Sequence, residues 1–383
     1  MIKITENLID LARNAEKRLK FKFPYSVDEW VNNKNLLMEN YHKHTTWSDL
    51  VQIDSSTSIE DFIKLSDEYG CKCYFSGEHG YPGEWLHVYN VCNDTKKDDV
   101  RAKLGISNPI TFRYSVEAYW VKDADAVFQE EYEDKKTGEK KVREKKDNTN
   151  CHMVIVARTY NAMRKLNYIL SCAHDTGFYY KPRIDLKSLF TLNKDEVYIT
   201  SACIAGWKYE DATEVWLKIW QHFGDSFFLE YQTHNTPEQK ALNKKIYEIS
   251  KTFGIQTIIG LDTHYINEED RIKRENLLLR KGLHYDGEDG WYMDFPNGVE
   301  TYRRMVEQDC LPKEEILYAM MNTHVFIDGC ENLSYDTDFK IPIHPDYQDY
   351  SYEERSKILH KILTDKFESE DDEHRTEDRR EGM

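Results

Sequence analysis

Residues 226–264 read SFFLEYQTHNTPEQKALNKKIYEISKTFGIQTIIGLDTH. The stretch opens with an apolar run at 226–231, short enough for a buried strand. Thr236-Pro237-Glu238-Gln239 then forms a capping box with proline at the first helical position. Leu242, Ile246, Ile249 and Phe253 recur at helical spacing and predict a helix over 237–253. Gly254 stands where a left-handed cap ends such a helix. A second apolar run, 255–261, follows at once and closes on Asp262-Thr263-His264. Strand, helix and strand in this order are the unit of a parallel sheet covered by helices.

The same alternation extends outward over residues 36–280. Apolar runs lie at 36–41, 72–76, 112–121, 152–157, 197–201, 226–231 and 255–261. Helical spacing fills 59–69, 84–91, 160–173, 211–223, 237–253 and 268–281. The fold class is therefore α/β, with a parallel sheet closed as a barrel or open and doubly wound. Before it, Leu8, Leu11, Ala12, Ala15 and Leu19 predict a docking helix over 6–20. Residues 122–150 interrupt the pattern with dense charge around Lys136-Thr137-Gly138 and predict a solvated hairpin or flexible loop. Another segment starts at 296, with a helix expected to open at Pro312. The end, ESEDDEHRTEDRREGM, has the composition of a disordered tail.

Composition removes several functions. The 383 residues carry 52 Lys+Arg against 69 Asp+Glu, a net charge of −17, so the chain does not hold nucleic acid by bulk charge. With 40% hydrophobic and 13% aromatic residues it can build a core. Its apolar runs are too short to span a bilayer, and residues 1–20 have no uninterrupted apolar segment, so the expected location is the cytoplasm. The eight cysteines form no CxxC pair, which fits a large reduced protein.

Potential metal ligands fall where the strands end. His42-Lys43-His44 closes the first run, and strand alternation puts both imidazoles on one side. Asp49 and Asp54 follow, before the helix at 59. His79 comes after the second run, Glu117 within the third, and His152 opens the fourth. Cys203 follows the fifth, and Asp262 and His264 end the last. In a parallel β/α barrel the C-terminal strand ends converge on one face. Several carboxylates gathered there would repel unless cations neutralised them. Imidazole, carboxylate and one thiolate suit zinc, manganese or iron, and the number of donors implies more than one ion. His174, His222 and His324 need no more than a surface or hydrogen-bonded role.

These residues carry a family likeness. HKHTTWSD, SGEHG, SVEAYWV, CHMVIVARTYNAMRKLNYILS, GFYYKPRID, ITSACIAG, FFLEYQTHNTPEQ and IGLDTHYIN run in order over about 36–285. Together they resemble the polymerase and histidinol phosphatase (PHP) domain of the bacterial DNA polymerase III alpha subunit. The resemblance implies a distorted seven-stranded β/α, TIM-like barrel with a trinuclear divalent metal centre. His42, His44, Glu117 and Asp262 would hold the first ion. Glu117, His152 and Cys203 would hold the second. Asp54 with His79 and His264 would hold the third, Asp49 being the alternative to Asp54. Glu78 stands where the family usually has Asp. The expected domains are an N-terminal helical extension (1–35), the barrel (36–290), a connecting region towards a polymerase body (291–366) and an acidic disordered tail (367–383). No run like Pro-Asp-Ile-Asp-Phe-Asp follows residue 290, so no polymerase active site is expected here.

The implied activity is that of a metal-dependent phosphoesterase, a 3′–5′ exonuclease on DNA. Lys181 and Arg183 could neutralise phosphate oxygens, or make a salt bridge at a helix–strand junction. One alternative is a non-catalytic structural half of a split replicative polymerase, bound to a palm-bearing partner chain and other replisome proteins. A second is a small-molecule phosphomonoesterase. No membrane partner is expected.

Overall fold

The computed structural model of the chain describes residues 6–93, 100–106, 108–135, 137–285, 288, 290–335 and 344–369. The unit quoted above forms as read. The helix is Pro237–Phe253, its Thr236 hydroxyl accepts the Gln239 N–H at 3.2 Å, and Gly254 ends it at φ +73°. The other expected helices form as Ile59–Tyr69, Trp85–Asn93, Tyr160–Asp175, Ala212–Phe223 and Glu268–Arg280. The N-terminal helix is Glu6–Glu16, and Pro312 caps Lys313–Asn322.

The described strands are β1 Cys73–Ser76, β2 Thr111–Val121, β3 Val127–Glu133, β4 Lys140–Lys146, β5 Cys151–Ala157, β6 Arg183–Asp185, β7 Val197–Thr200, β8 Phe227–Tyr231 and β9 Gln256–Ile259. Seven of them make one curled sheet in the order β1-β2-β5-β7-β8-β9, with β6 paired to β2, and helices accompany it. This is the barrel-like α/β fold expected. The sheet is not wholly parallel, however. β5 runs antiparallel to both β2 and β7, Glu117 standing opposite Val154 and Thr200 opposite Val154 on the other side. The cause lies in the charged insertion. Residues 122–150 are a hairpin, β3 against β4, and no crossover helix turns the chain back before β5.

The first apolar run differs from its reading. Residues 36–41 are buried but are not a ladder strand, and Leu36 is left-handed at φ +48°. Their backbone groups are met by side chains instead. The Leu37 carbonyl accepts from Trp30 Nε1 at 2.7 Å and lies 2.9 Å from His324 Nε2, while the Glu39 N–H donates to Thr323 Oγ1 at 3.0 Å. This segment closes the seam between β9 and β1. On one side His44 N donates to the Thr263 carbonyl at 2.7 Å and Thr263 N to the His42 carbonyl at 3.2 Å. On the other, the buried Glu39 carboxylate accepts the N–H groups of Lys72 and Cys73 at 2.8–3.0 Å.

The end of the barrel away from the candidate ligands is plugged by the short helix Val325–Asp328. Phe326 packs on Tyr41, Phe75 and Tyr198 with ring centroids 5.2, 5.2 and 5.6 Å apart. Residues 291–333 belong to one compact unit with the barrel, Met1–Leu333. The second unit, Ser334–Met383, contains the helix Tyr352–Glu368, opened by a capping box of Ser351 and Glu354. That helix takes in Phe367 and Glu368, the first residues of the expected disordered tail, and residues 370–383 lie outside the described residues. All eight cysteines are free. No described helix is long and apolar enough to cross a membrane.

Candidate metal centre

The seam segment and the ends of several strands deliver the candidate ligands to one buried place. His42 and His44 come from the seam segment, His79 from beyond β1, Glu117 from β2, Cys203 from beyond β7, and Asp262 and His264 from beyond β9. His152 lies at the start of β5, not at its end. Because β5 runs against its neighbours, its start reaches the rim that the other strands reach with their ends.

Glu117 is central. Its Oε1 lies 3.1 Å from His42 Nε2 and 2.8 Å from His152 Nδ1, and its Oε2 lies 2.7 Å from His79 Nδ1 and 3.3 Å from His44 Nε2. Asp262 Oδ1 is 3.3 Å from His42 Nε2 and 3.2 Å from His44 Nε2. Cys203 Sγ is 3.5 Å from His152 Nδ1. Of the two candidate aspartates, Asp54 is the one brought in, its Oδ2 2.7 Å from His79 Nε2 and 3.3 Å from His264 Nε2. Asp49 instead accepts the Asp54 N–H at 3.2 Å and shapes the loop.

Some of these contacts are hydrogen bonds, those of His42 and His152 with Glu117 Oε1 and of His79 and His264 with Asp54 Oδ2. Those to Glu117 Oε2 and Asp262 Oδ1 are close without being hydrogen bonds. His44 Nε2, His79 Nδ1, Asp54 Oδ1, Glu117 Oε2 and Asp262 Oδ1 are all buried without a hydrogen-bond partner. So many orphaned atoms at adjacent positions would be costly in a finished core. They fit cations, since lone pairs that converge on a common point rather than on one another are what a metal requires. Three triads have ligand atoms within 4.8 Å of one another: His42, His44 and Asp262; His79, Glu117 and His152; and His44, His79 and His264. The residues present therefore suit metal ions.

Electrostatics say the same. Burial opposes ionisation of the three carboxyls, yet His79 and His264 hold Asp54 well below the usual range. His152, His79 and His42 do so for Glu117, and His42, His44 and His264 for Asp262. Burial would also neutralise His79, but Asp54 and Glu117 raise it to about 10, and Glu230, Asp262 and Glu117 likewise raise His42. His44 goes the other way, to about 3, through burial and the neighbouring His79. Burial lifts the Cys203 thiol well above its ordinary value, with Asp262 and Glu117 adding to it.

A supporting layer orients the ligands. Glu230 was not singled out in the sequence. It is a lone acid inside an apolar run, and a buried charge in a central strand needs partners. Its Oε1 lies 2.8 Å from His42 Nδ1, and its Oε2 accepts from Tyr41 Oη at 2.8 Å and Thr200 Oγ1 at 2.7 Å. Gly260 makes room for it, since a Cβ there would sit 2.0 Å from Glu230 Oε1. Glu78 accepts from the Thr45 N–H at 2.9 Å and from the Ser48 hydroxyl, and Ser48 Oγ lies 3.2 Å from His44 Nδ1. Gln52 Nε2 donates to Asp54 Oδ2 at 2.9 Å, and Arg274 Nε to the Asp54 carbonyl.

The two candidate phosphate-binding residues separate. Arg183 is 1% exposed, and its guanidinium donates to the carbonyls of Gly177, Ala124 and Asp147. It clamps both flanks of the hairpin, is buried away from the surface, and makes no salt bridge among the described residues. Lys181 donates to the Val51 carbonyl at 2.9 Å and to Gln52 Oε1 at 3.2 Å, one side chain away from Asp54. His174, His222 and His324 each rest a ring nitrogen on a backbone carbonyl, the hydrogen-bonded role expected of them.

The family model described as "PHP domain" matches residues 40–234, half of the chain. The chain is similar to the DNA polymerase III subunit alpha of Aquifex aeolicus (strain VF5), with 29% identity over 254 residues, 63% of this chain and 20% of that protein. It is similar also to the subunits named alike from Borreliella burgdorferi, 25% over 320 residues, and Helicobacter pylori, 23% over 319 residues. These cover 80% and 78% of this chain, and 24% and 23% of the relatives, so it spans about a quarter of their length or less. On this match over half of its length, the chain belongs to the PHP family of metal-dependent phosphoesterases.

Proposed function

We propose that the chain hydrolyses phosphodiesters at the 3′ end of single-stranded DNA, as a 3′–5′ exonuclease with a trinuclear metal centre. The observation that carries this is the convergence of nine donor residues with five orphaned ligand atoms among them. In this reading His42, His44, Glu117 and Asp262 hold one ion, Glu117, His152 and Cys203 a second, and Asp54, His79 and His264 the third. Manganese, zinc and iron all suit the donors. Divalent cations acidify bound water and neutralise phosphate oxygens. The protein's own part is to keep the imidazoles aimed through Glu230 and Ser48, to hold the carboxylates ionised, and to keep bulk water out.

The rim supports a single-stranded substrate. Tyr180 is 71% exposed and Phe178 53% exposed, in the loop whose Lys181 braces Gln52. Tyr180 sits at φ +61°, a conformation bulky residues adopt only where the surroundings hold them there. Lys208 donates to the Asn150 carbonyl at 3.2 Å, two residues before His152. Aromatic faces for bases and ammonium groups for phosphates are the requirements for binding a single strand without reading its sequence. The relatives' name, DNA polymerase III subunit alpha, supports DNA as the substrate, and the partners in this reading are a palm-bearing polymerase chain and other replisome proteins.

Metal-loaded protein should release nucleotides from a 3′-labelled oligonucleotide with manganese, faster than it turns over a small phosphomonoester. His44→Ala should lower release at least a hundredfold. If no metal supports release, or if the variant matches wild type, the exonuclease reading falls.

A further inference from the structure

His234 lies in the stretch that decided the fold, yet it is outside the ligand set. It follows β8 by three residues and is fully buried. Its ring stacks on Trp291, with centroids 4.6 Å apart and planes at 19°. The stretch of chain that anchors it also anchors a candidate ligand: His264 N donates to the carbonyl of Met293 at 2.8 Å, next to the Tyr292 amide. Asp262, His264 and His42 are among the charges that bear on the His234 ring.

Its two ring nitrogens are not equivalent. Nδ1 accepts the backbone N–H of Tyr292 at 3.1 Å. A backbone amide can only donate, so the lone pair is on Nδ1 and the proton on Nε2. A metal at Nε2 would need the lone pair there. The proton would then move to Nδ1 and face the Tyr292 N–H, donor against donor. His234 is thus the imidazole beside the centre that cannot be a ligand without breaking its own anchor. Its Nε2–H meets no acceptor among the described residues. A buried donor left unpaired costs about 1–3 kcal/mol, so its acceptor must arrive with whatever enters the centre. Burial lowers the ring's pKa to about 4, against the pull of Asp262, which keeps it a neutral, single donor.

We propose that His234 Nε2–H is a fixed hydrogen-bond donor to a phosphoryl oxygen of the substrate at the metal centre, and not a tenth ligand. The proposal rests on the metal-centre reading above. A donor held ready by a stack and a backbone amide does not have to reorganise when charge builds on that oxygen.

The test uses the full chain, zinc-loaded, with inorganic phosphate as the probe. His234→Leu and His234→Gln should both keep the wild-type metal content by elemental analysis. Phosphate affinity should fall about tenfold in His234→Leu. It should return to within threefold in His234→Gln, whose amide reaches the position of Nε2. In nitrogen-15 imidazole spectra of the metal-free protein, His234 should appear as the Nε2-protonated tautomer. Its resonance should shift when phosphate is added to the loaded protein. Loss of metal from His234→Leu together with an Nδ1-protonated ring would make it a ligand and overturn the proposal. Unchanged phosphate affinity would assign the donor to a buried water and overturn it equally. Should the leucine variant not fold, the glutamine variant and the tautomer decide. Wild-type protein that takes up no metal is a separate outcome, because that result removes the metal-centre reading itself.

Discussion

Glu230→Gln keeps the shape of the side chain but removes the charge that meets His42 Nδ1. Groups that orient metal-bound imidazoles are typically worth ten- to a hundredfold in metal affinity. Chelator competition should show a loss of that size with the melting temperature within a few degrees of wild type, and unchanged affinity would reduce Glu230 to packing. Metal uptake should also release protons. His79 is raised to about 10 by Asp54 and Glu117, and His42 is raised as well, so below pH 10 an ion must displace a proton from His79. Affinity should therefore rise with pH between 6 and 9, and calorimetry in two buffers of different ionisation enthalpy should give net proton release; an affinity independent of pH would contradict this. The nine donors were legible because their residue types recur at strand ends, where a barrel gathers them. Glu230 and His234 were not, since each is a single polar residue beside apolar neighbours and its meaning depends on which groups lie across the barrel. The clamp made by Arg183 was not legible for the same reason, as sequence shows a cation but not the three carbonyls around it.

At the scale of elements, strand 36–41 was expected from its apolar composition, and composition does not reveal whether a run finds a ladder or a set of side chains. β6 was missed because Arg-Ile-Asp is too short and too charged to read as a strand. The direction of β5 was missed because the regular alternation elsewhere implied a parallel sheet, while a hairpin or loop at 122–150 does not by itself fix the direction of the strand after it. The side-chain fastening at Glu39 has a measurable signature. Burial lifts its pKa to about 7 from 4.5, against the Lys72 and Cys73 amides. The folded state thus holds a proton that the unfolded chain releases, so this group's contribution falls as pH rises from about 4.5 to 7. The shift corresponds to roughly 3 kcal/mol as an order of magnitude. Urea unfolding of Glu39→Gln against wild type should show the variant's relative stability increasing over that window, and parallel pH profiles would sink the assignment.

For the whole molecule, the class of the fold and six of the seven strands of its sheet were readable because the alternation of runs and helices is long and regular. The aromatic plug at Phe326 was not, since it comes from a segment with no periodic link to the strands. The hairpin of β3 and β4 pairs strand to strand, and Arg183 holds the backbone on either side of it. Replacing residues 127–146 by a short Gly-Ser turn should leave metal content unchanged and the melting temperature within about 5 °C; loss of the fold would show that the hairpin supports the barrel. With a net charge of −17, oligonucleotide binding should rest on few cations. If Lys181 and Lys208 are the two that meet phosphates, log affinity against log salt should have a slope of about −1.4, and a slope several times steeper would point to a basic surface elsewhere.

The joint between β9 and β1 has one further consequence. Elsewhere in the sheet, amide hydrogens are shared along continuous ladders, but here a single bridge and one acidic side chain carry the circumference. In heavy water, deuterium should enter first at Lys72, Cys73 and Thr263, so the barrel would breathe along this one line.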